Sequence, residues 1–401
     1  MLLNYEVNNF SVFKEKIQFD MKAWKTYSRF EDNVIEVHSK MKVSKVAVIV
    51  GENGSGKTYF MRSLDYLKYL IISNNNIRSI KNLCNNYNNE KSQKFKLEVV
   101  LDKKIYTYEL EIDKFSKVFE KLSFRGYTLD KSKDVEIFSA ERISVVEDKQ
   151  LGQTNLEIGM KLDINEKFIL EELKDKIKPS ANGLFLNDMV VLGVEEVKTF
   201  VNWIENKLIV EMHSDIPLNI YKQMQEDEED IEIMKSDEFL EIFRLVDSSI
   251  VNVEIDEKDP FRDTKIIRKK GKRDFKVSLK NDSSGVNEFF AWSIQIWKVI
   301  YENITLFADE LDRVLNPILS ARVLRFIKGS NHKGQFVFST HNILHLNTTE
   351  FMKEQINFVS KDRYTLNSEF YSLGDFEEYK YQKTDVYNLY LKGLLGGVPN
   401  D

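Results

Sequence analysis

The chain has 401 residues, 42% of them hydrophobic and 30% charged, with a net charge of −6. That balance is ordinary for a globular protein and gives no overall attraction to nucleic acid or an anionic membrane, so such contacts need a local basic patch. Cys84 is the single cysteine, which excludes an internal disulfide and a multi-thiolate zinc site and suits a reducing cytoplasm.

The N-terminal MLLNYEVNNFSVFKEK turns polar too early for a secretory signal. No stretch approaches the roughly 20 apolar residues of a membrane span, so a cytoplasmic protein is expected. Leu3, Tyr5 and Val7, then Phe13, Ile17 and Phe19, predict two strands of an antiparallel sheet, and polar residues 21–41 predict an exposed connection. Val46 to Val50 is an unbroken apolar run, the pattern of a strand buried on both faces. Gly51-Glu52-Asn53-Gly54-Ser55-Gly56-Lys57-Thr58 follows at once, and Tyr59 to Tyr69 has helical spacing.

Strand, glycine loop and helix in that order are the context of a phosphate-binding loop. Glycines let successive backbone N–H groups turn toward a phosphate that any Cβ would obstruct. Lys57 brings a positive charge to the β- and γ-phosphates, and the Thr58 hydroxyl can join the shell of a Mg²⁺ ion. A nucleoside triphosphate, ATP with Mg²⁺, is therefore the expected ligand, contacted by Asn53, Gly54, Ser55, Gly56, Lys57 and Thr58.

Residues 73–93 are rich in Asn and Ser and predict a loop. Segments 94–102, 104–113 and 116–126 alternate with period two and predict a meander beside the nucleotide, turning at Asp102-Lys103 and Asp113-Lys114. From about 145 the spacing becomes helical at Phe168–Ile177, Val194–Leu208 and Asp237–Val246. The acidic run 225–232 reads as a solvated face or a site for a basic partner. Residues 250–280 predict a hairpin whose tip, Lys269 to Arg273, is the strongest basic cluster, either solvated or in contact with nucleic acid. No heptad pattern persists there, which argues against a long coiled-coil arm.

Three stretches after residue 280 supply what a phosphate loop lacks. In ITLFADELD (304–312) an apolar strand ends in Asp309 and Glu310. Asp309 fits the Mg²⁺ shell and Glu310 fits a general base acting on water. In GQFVFSTHN (334–342) a further strand delivers His341, suited to donating a hydrogen bond to the γ-phosphate. In KNDSSGVNEFFAWSIQIW (280–297) Ser283, Ser284 and Gly285 open an amphipathic helix, either as an anion site or as a plain N-cap.

In this order the motifs resemble an ABC-type ATPase: Walker A, a Ser-Ser-Gly signature, a Walker B Asp-Glu and a switch His. NNFSVFKE and DELDRVLN resemble the RecF/SMC branch. SANGLFLND (180–188), VKTFVNWIENKLIV (197–210), INFVSKDRYTLNSEFYSLGDF (356–376) and YLKGLLGGVPN (390–400) resemble ABC-like ATPases of bacterial abortive-infection and anti-phage systems. The resemblance implies an α/β ATPase head, a mixed sheet with an antiparallel β lobe, carrying a largely helical insertion where relatives have a coiled coil.

It divides the chain at 1–145, 146–280 and 281–401, and implies a homodimer or higher oligomer. Lys57 and Thr58 of one copy would face Ser283 and Gly285 of another across ATP. It puts Asn316 at the D-loop and leaves Gln93 and Gln150 as Q-loop candidates. Val286 and Asn316 depart from the common pattern, which puts the hydrolysis rate in question. The function implied is an ATP-gated switch controlling a separately encoded nuclease or toxin, because only some 60 residues follow His341. The competing expectation is a DNA-repair ATPase of the RecF kind that binds DNA directly.

Overall fold

Nearly every period-two segment of the sequence becomes a strand. The computed structural model describes residues 1–23, 28–73, 91–113, 117–127, 130–144, 158–169, 183–212, 228–313, 315–377 and 385–396. In chain order the first strands are β1 (Leu2–Asn8), β2 (Ile17–Asp20), β3 (Lys22–Ala23), β4 (Val34–His38), β5 (Met41–Ser44) and β6 (Val46–Val50). Next come β7 (Gln93–Leu101), β8 (Lys104–Ile112), β9 (Val118–Arg125), β10 (Val135–Ser144), β11 (Ile158–Ile164) and β12 (Leu208–Glu211). The last are β13 (Ile250–Glu254), β14 (Lys265–Lys270), β15 (Arg273–Ser278), β16 (Thr305–Ala308), β17 (Gln335–Thr340), β18 (Ile356–Lys361) and β19 (Ser368–Ser372).

A seven-stranded sheet runs β11-β10-β9-β8-β7-β1-β2, and a six-stranded sheet runs β12-β16-β17-β6-β18-β19. The first is antiparallel throughout, as the alternation predicts. Its β7–β8 turn has positive φ at Asp102 (44°) and Lys103 (65°), the backbone of a tight two-residue hairpin. In the second sheet only β19 runs antiparallel to its neighbour. Ala47 and Ile49 of β6 enter the core under the large sheet, whereas Val46, Val48 and Val50 enter the core around the helix Ser284–Tyr301. Burial on both faces is why β6 reads as an unbroken apolar run.

Two expectations need revision. Residues 21–41 are not simply an exposed connection: β3, β5 and β4 form a small sheet, and Phe30 and Val34 pack on Met352. Their apolar residues are too thinly spread to give a periodic signal. The stretch 146–280 does hold helices, at Phe185–Val191, Glu195–Lys207, Glu228–Met234 and Asp237–Phe243. It also holds strands: β11 extends the large sheet, β12 pairs in parallel with β16, and β13 to β15 form a separate meander rather than a lone hairpin. Cys84, most of the Asn-rich loop, nearly all of the helix expected at 168–177 and residues 225–227 of the acidic run lie outside the described residues.

One buried amide joins the two large sheets. Gln335 at the start of β17 accepts from Leu2 N (2.6 Å) and Thr305 Oγ1 (3.0 Å), and its Nε2 donates to Leu2 O (2.9 Å). Gln335→Leu keeps the volume but strands both polar groups of Leu2 in the core, at a cost of about 1–3 kcal/mol. Urea denaturation should show an earlier midpoint with little change in slope; an unchanged midpoint contradicts the role of this clasp.

Candidate nucleotide-binding site

The glycine loop lies between β6 and the helix Lys57–Ile72. β17 and β18 flank β6 in parallel, so all three strands end on one edge of the sheet, where open parallel sheets bind ligands. Gly54 and Gly56 have φ of 76° and 121°, a region that favours glycine. A Cβ on Gly56 would come within 2.9 Å of Val12 Cγ2, and one on Gly51 within 2.4 Å of the Val359 carbonyl oxygen. Among the described residues no side chain caps the N-terminus of the helix Lys57–Ile72, which leaves its first N–H groups available to an anion. Among the described residues the buried Ser55 hydroxyl has no hydrogen-bond partner, a cost that a ligand can relieve.

Lys57 folds back over the loop, its Nζ donating to Gly51 O (2.9 Å) and Glu52 O (3.0 Å) and lying 3.5 Å from His341 Nδ1. Burial pulls its pKa down to about 8, against the opposing pull of Asp309, Glu310, Asp312 and Glu52. Next to it, Thr58 Oγ1 donates to Asp309 Oδ2 at 2.8 Å. Ser339 Oγ donates to Asp309 Oδ1 at 2.5 Å and accepts from Glu310 N at 2.8 Å. Asp309 is thus held from two sides at 3% exposure.

A hydroxyl and a carboxylate meeting at one point are hard oxygen donors of the kind Mg²⁺ selects. Among the described residues no cluster of three His, Cys, Asp or Glu could hold a metal alone. Thr58 and Asp309 would therefore share the ion with phosphate oxygens and water, where it would offset charge on the triphosphate.

Glu310 sits at φ 52°, unusual for a non-glycine residue and the kind of backbone strain that clusters at functional sites. Arg313 Nε holds Glu310 Oε2 at 2.7 Å, while Oε1 faces His341 Nε2 at 3.9 Å. The His341 main-chain N–H donates to Asp312 Oδ2 at 2.7 Å, and Thr340 Oγ1 donates to Asp312 Oδ1. Burial, then Lys57, lowers the His341 pKa, opposed by Asp312, Glu310 and Asp309. The ring is neutral near pH 7. An ammonium only donates, so the tautomer that fits has Nδ1 accepting from Lys57 and the proton on Nε2.

One edge thus gathers Asn53 to Thr58, Asp309, Glu310 and His341. Ser283 and Ser284 are exposed and Gly285 half-buried elsewhere. Ser283 caps its helix by accepting from Val286 N at 3.4 Å, and among the described residues it makes no hydrogen bond to the glycine loop. Asn316 caps the helix Pro317–Gly329, taking Ile318 N and Leu319 N at 3.0 Å each. Gln93, a Q-loop candidate, is fully buried and donates to Asn9 O at 3.2 Å, a structural role; Gln150 lies outside the described residues. Sequence reasoning missed Asp312 and Arg313, although both lie within three or four residues of Asp309.

A family model described as "AAA domain, putative AbiEii toxin, Type IV TA system" matches residues 46–347, from β6 to just beyond β17 and His341. The chain belongs to this family. It is an ABC-like P-loop ATPase domain of the abortive-infection type. Among solved structures, the SMC head domain from Thermotoga maritima is similar with a TM-score of 0.45 and 14% identity, covering 92% of this chain and 98% of that one. An Smc head with an extended coiled coil, bound to the C-terminal domain of ScpA from Pyrococcus furiosus, gives 0.42 and 14%, covering 92% and 96%. No curated protein matches in sequence. Among the described residues no helix is long and apolar enough to cross a membrane.

The lowered pKa of Lys57 gives this site a pH signature. Below about pH 8 the ammonium is already present. Above it the free protein must take up a proton to meet the triphosphate, so affinity falls as pH rises, by about tenfold between pH 7 and 9. Calorimetry in buffers of different ionisation enthalpy should detect that proton uptake at pH 8.5; a flat affinity profile contradicts it.

Proposed function

We propose that this ABC-like ATPase binds and hydrolyses ATP as a dimeric switch. In this reading the ATP-bound dimer controls a separately encoded nuclease or toxin during infection. The observation that carries the ATP reading is the Thr58–Asp309 hydrogen bond beneath the Lys57 cradle, with Glu310 and His341 on the same rim. The exposed Ser283 and Ser284, away from the glycine loop of their own chain, support the dimer, in which each protomer supplies part of a closed pocket. A twofold arrangement would lend each pocket the signature loop of the other copy. The family description, which names a putative toxin and a toxin–antitoxin system, supports the defence role.

Each residue's chemistry follows from its partners. Arg313 occupies one oxygen of Glu310 and leaves Oε1 to take the proton of an attacking water. His341, neutral with its proton on Nε2, is an uncharged donor for a γ-phosphate oxygen. Lys57 exchanges two carbonyl acceptors for phosphate, and the backbone of Asn53 to Gly56 wraps the β-phosphate.

Two variants separate binding from turnover. Lys57→Ala should lose most ATP affinity in a filter-binding or calorimetric titration; wild-type affinity contradicts the cradle. Glu310→Gln should still bind ATP but hydrolyse it roughly 10²–10⁴-fold more slowly. It should also accumulate an ATP-dependent dimer in light scattering. Normal turnover, or a monomer at saturating ATP, overturns the switch.

A further inference from the structure

The meander β13-β14-β15 leaves β15 as an open edge, and its tip is exposed from Lys269 to Lys276. Lower on this ribbon three basic side chains are matched: Lys276 with Glu254 (2.5 Å), Lys280 with Asp263 (2.8 Å), and Arg268 with Asp247 (2.9 Å) and Asp282 (2.5 Å). At the tip, Lys269, Lys270, Lys272 and Arg273 form no ion pair among the described residues. Four unmatched cations stand at one point of a chain whose net charge is −6.

Strand register sorts these residues by face. Lys270 pairs with Arg273, and Arg268 with Phe275, and directly opposed residues share a face. Phe275 is 59% exposed and stands on the same face as Lys270 and Arg273. Lys269 is across from Asp274 on the other face. Gly271 turns the chain at φ 64°. A bare ring beside unmatched cations suits a ligand with phosphates and open aromatic faces. A single strand offers both, whereas a duplex hides its base faces in the stack.

The base of this ribbon reaches the signature loop. Arg268 Nη1 donates to Asp282 Oδ2, while Asp282 Oδ1 accepts from Ser283 N at 2.8 Å. We propose that the face formed by Lys270, Arg273 and Phe275, with Lys272 in the turn that joins the strands, binds single-stranded nucleic acid. Occupancy is passed through Arg268 and Asp282 to Ser283, so the strand sets the rate of ATP turnover. The transmission rests on the ATP-switch reading; the binding does not.

The test uses fluorescence anisotropy of the full chain with labelled 20-mers of oligo-dT and oligo-U and with a mixed-sequence duplex. Single strands should bind with log K falling against log salt at a slope of about −2 to −3, from three to four phosphate contacts. The two homopolymers distinguish DNA from RNA as the source. Phe275→Ala should weaken binding about 5- to 100-fold, and Lys270→Glu with Arg273→Glu should abolish it, both while melting like wild type.

Duplex binding as tight as single strand, insensitivity to Phe275→Ala, or equal competition by polyglutamate overturns the site. Repeating the titration with Lys57→Ala reads strand binding even if the ATPase reading fails. With active enzyme, the strand should change phosphate release at least threefold, and Arg268→Gln should remove that response while still binding. A bound strand that leaves turnover unmoved overturns the transmission.

Discussion

The hydrogen bond between Thr58 and Asp309 closes a gap of 251 residues, and the site exists because it closes. Thr58 opens the helix that the glycine loop hangs from the end of β6, and Asp309 directly follows β16, so the bond requires β6 and β16 to run parallel with β17 between them. A carboxylate at 3% exposure is costly unless its oxygens are satisfied, and Thr58 and Ser339 do so. The Ser339 hydroxyl also takes the N–H of Glu310, which fixes the left-handed backbone at that residue. One serine in the middle strand therefore orients both acids.

Packing beneath the loop holds this geometry. Phe60, one turn into the helix after the loop, stacks on Phe370 of β19 at 4.6 Å between centroids. Phe19 meets Phe60 edge-on at 5.5 Å and Phe307 at 5.9 Å. Phe307 lies on β16 two residues before Asp309, so this aromatic cluster ties the helix, the acidic strand and the β lobe together. Each buried ring contributes about 1.5–3 kcal/mol. The clasp by Gln335 adds direction to that non-directional attraction, because an amide fits only one register of β1.

The signature region is built differently. Its serines are exposed and their local bonds are an ordinary helix cap, while the residue before them is held by Arg268 of the ribbon. Charge pairing with a separate sheet holds the residue before the serines, while Leu279 and Val286 on either side are anchored in the core around the helix Ser284–Tyr301. Charge pairs at partial exposure are weaker and more salt-sensitive than buried packing.

By itself the sequence determined the glycine loop, the Asp309-Glu310 pair, His341 and the meander β7 to β9, because each is written in neighbouring residues. A φ that favours glycine, a period of two, or a strand ending in acids needs no distant partner to be read. Tertiary structure alone decided that β12 pairs with β16 and that the thinly apolar segment 21–41 folds into a sheet over Met352. It also decided that Asp312 holds the histidine loop and that Arg313 holds Glu310. Apart from the Arg313–Glu310 pair, which is three residues apart, these outcomes depend on which surfaces meet after the chain folds, and the free energy that selects them lies between residues tens to hundreds of positions apart.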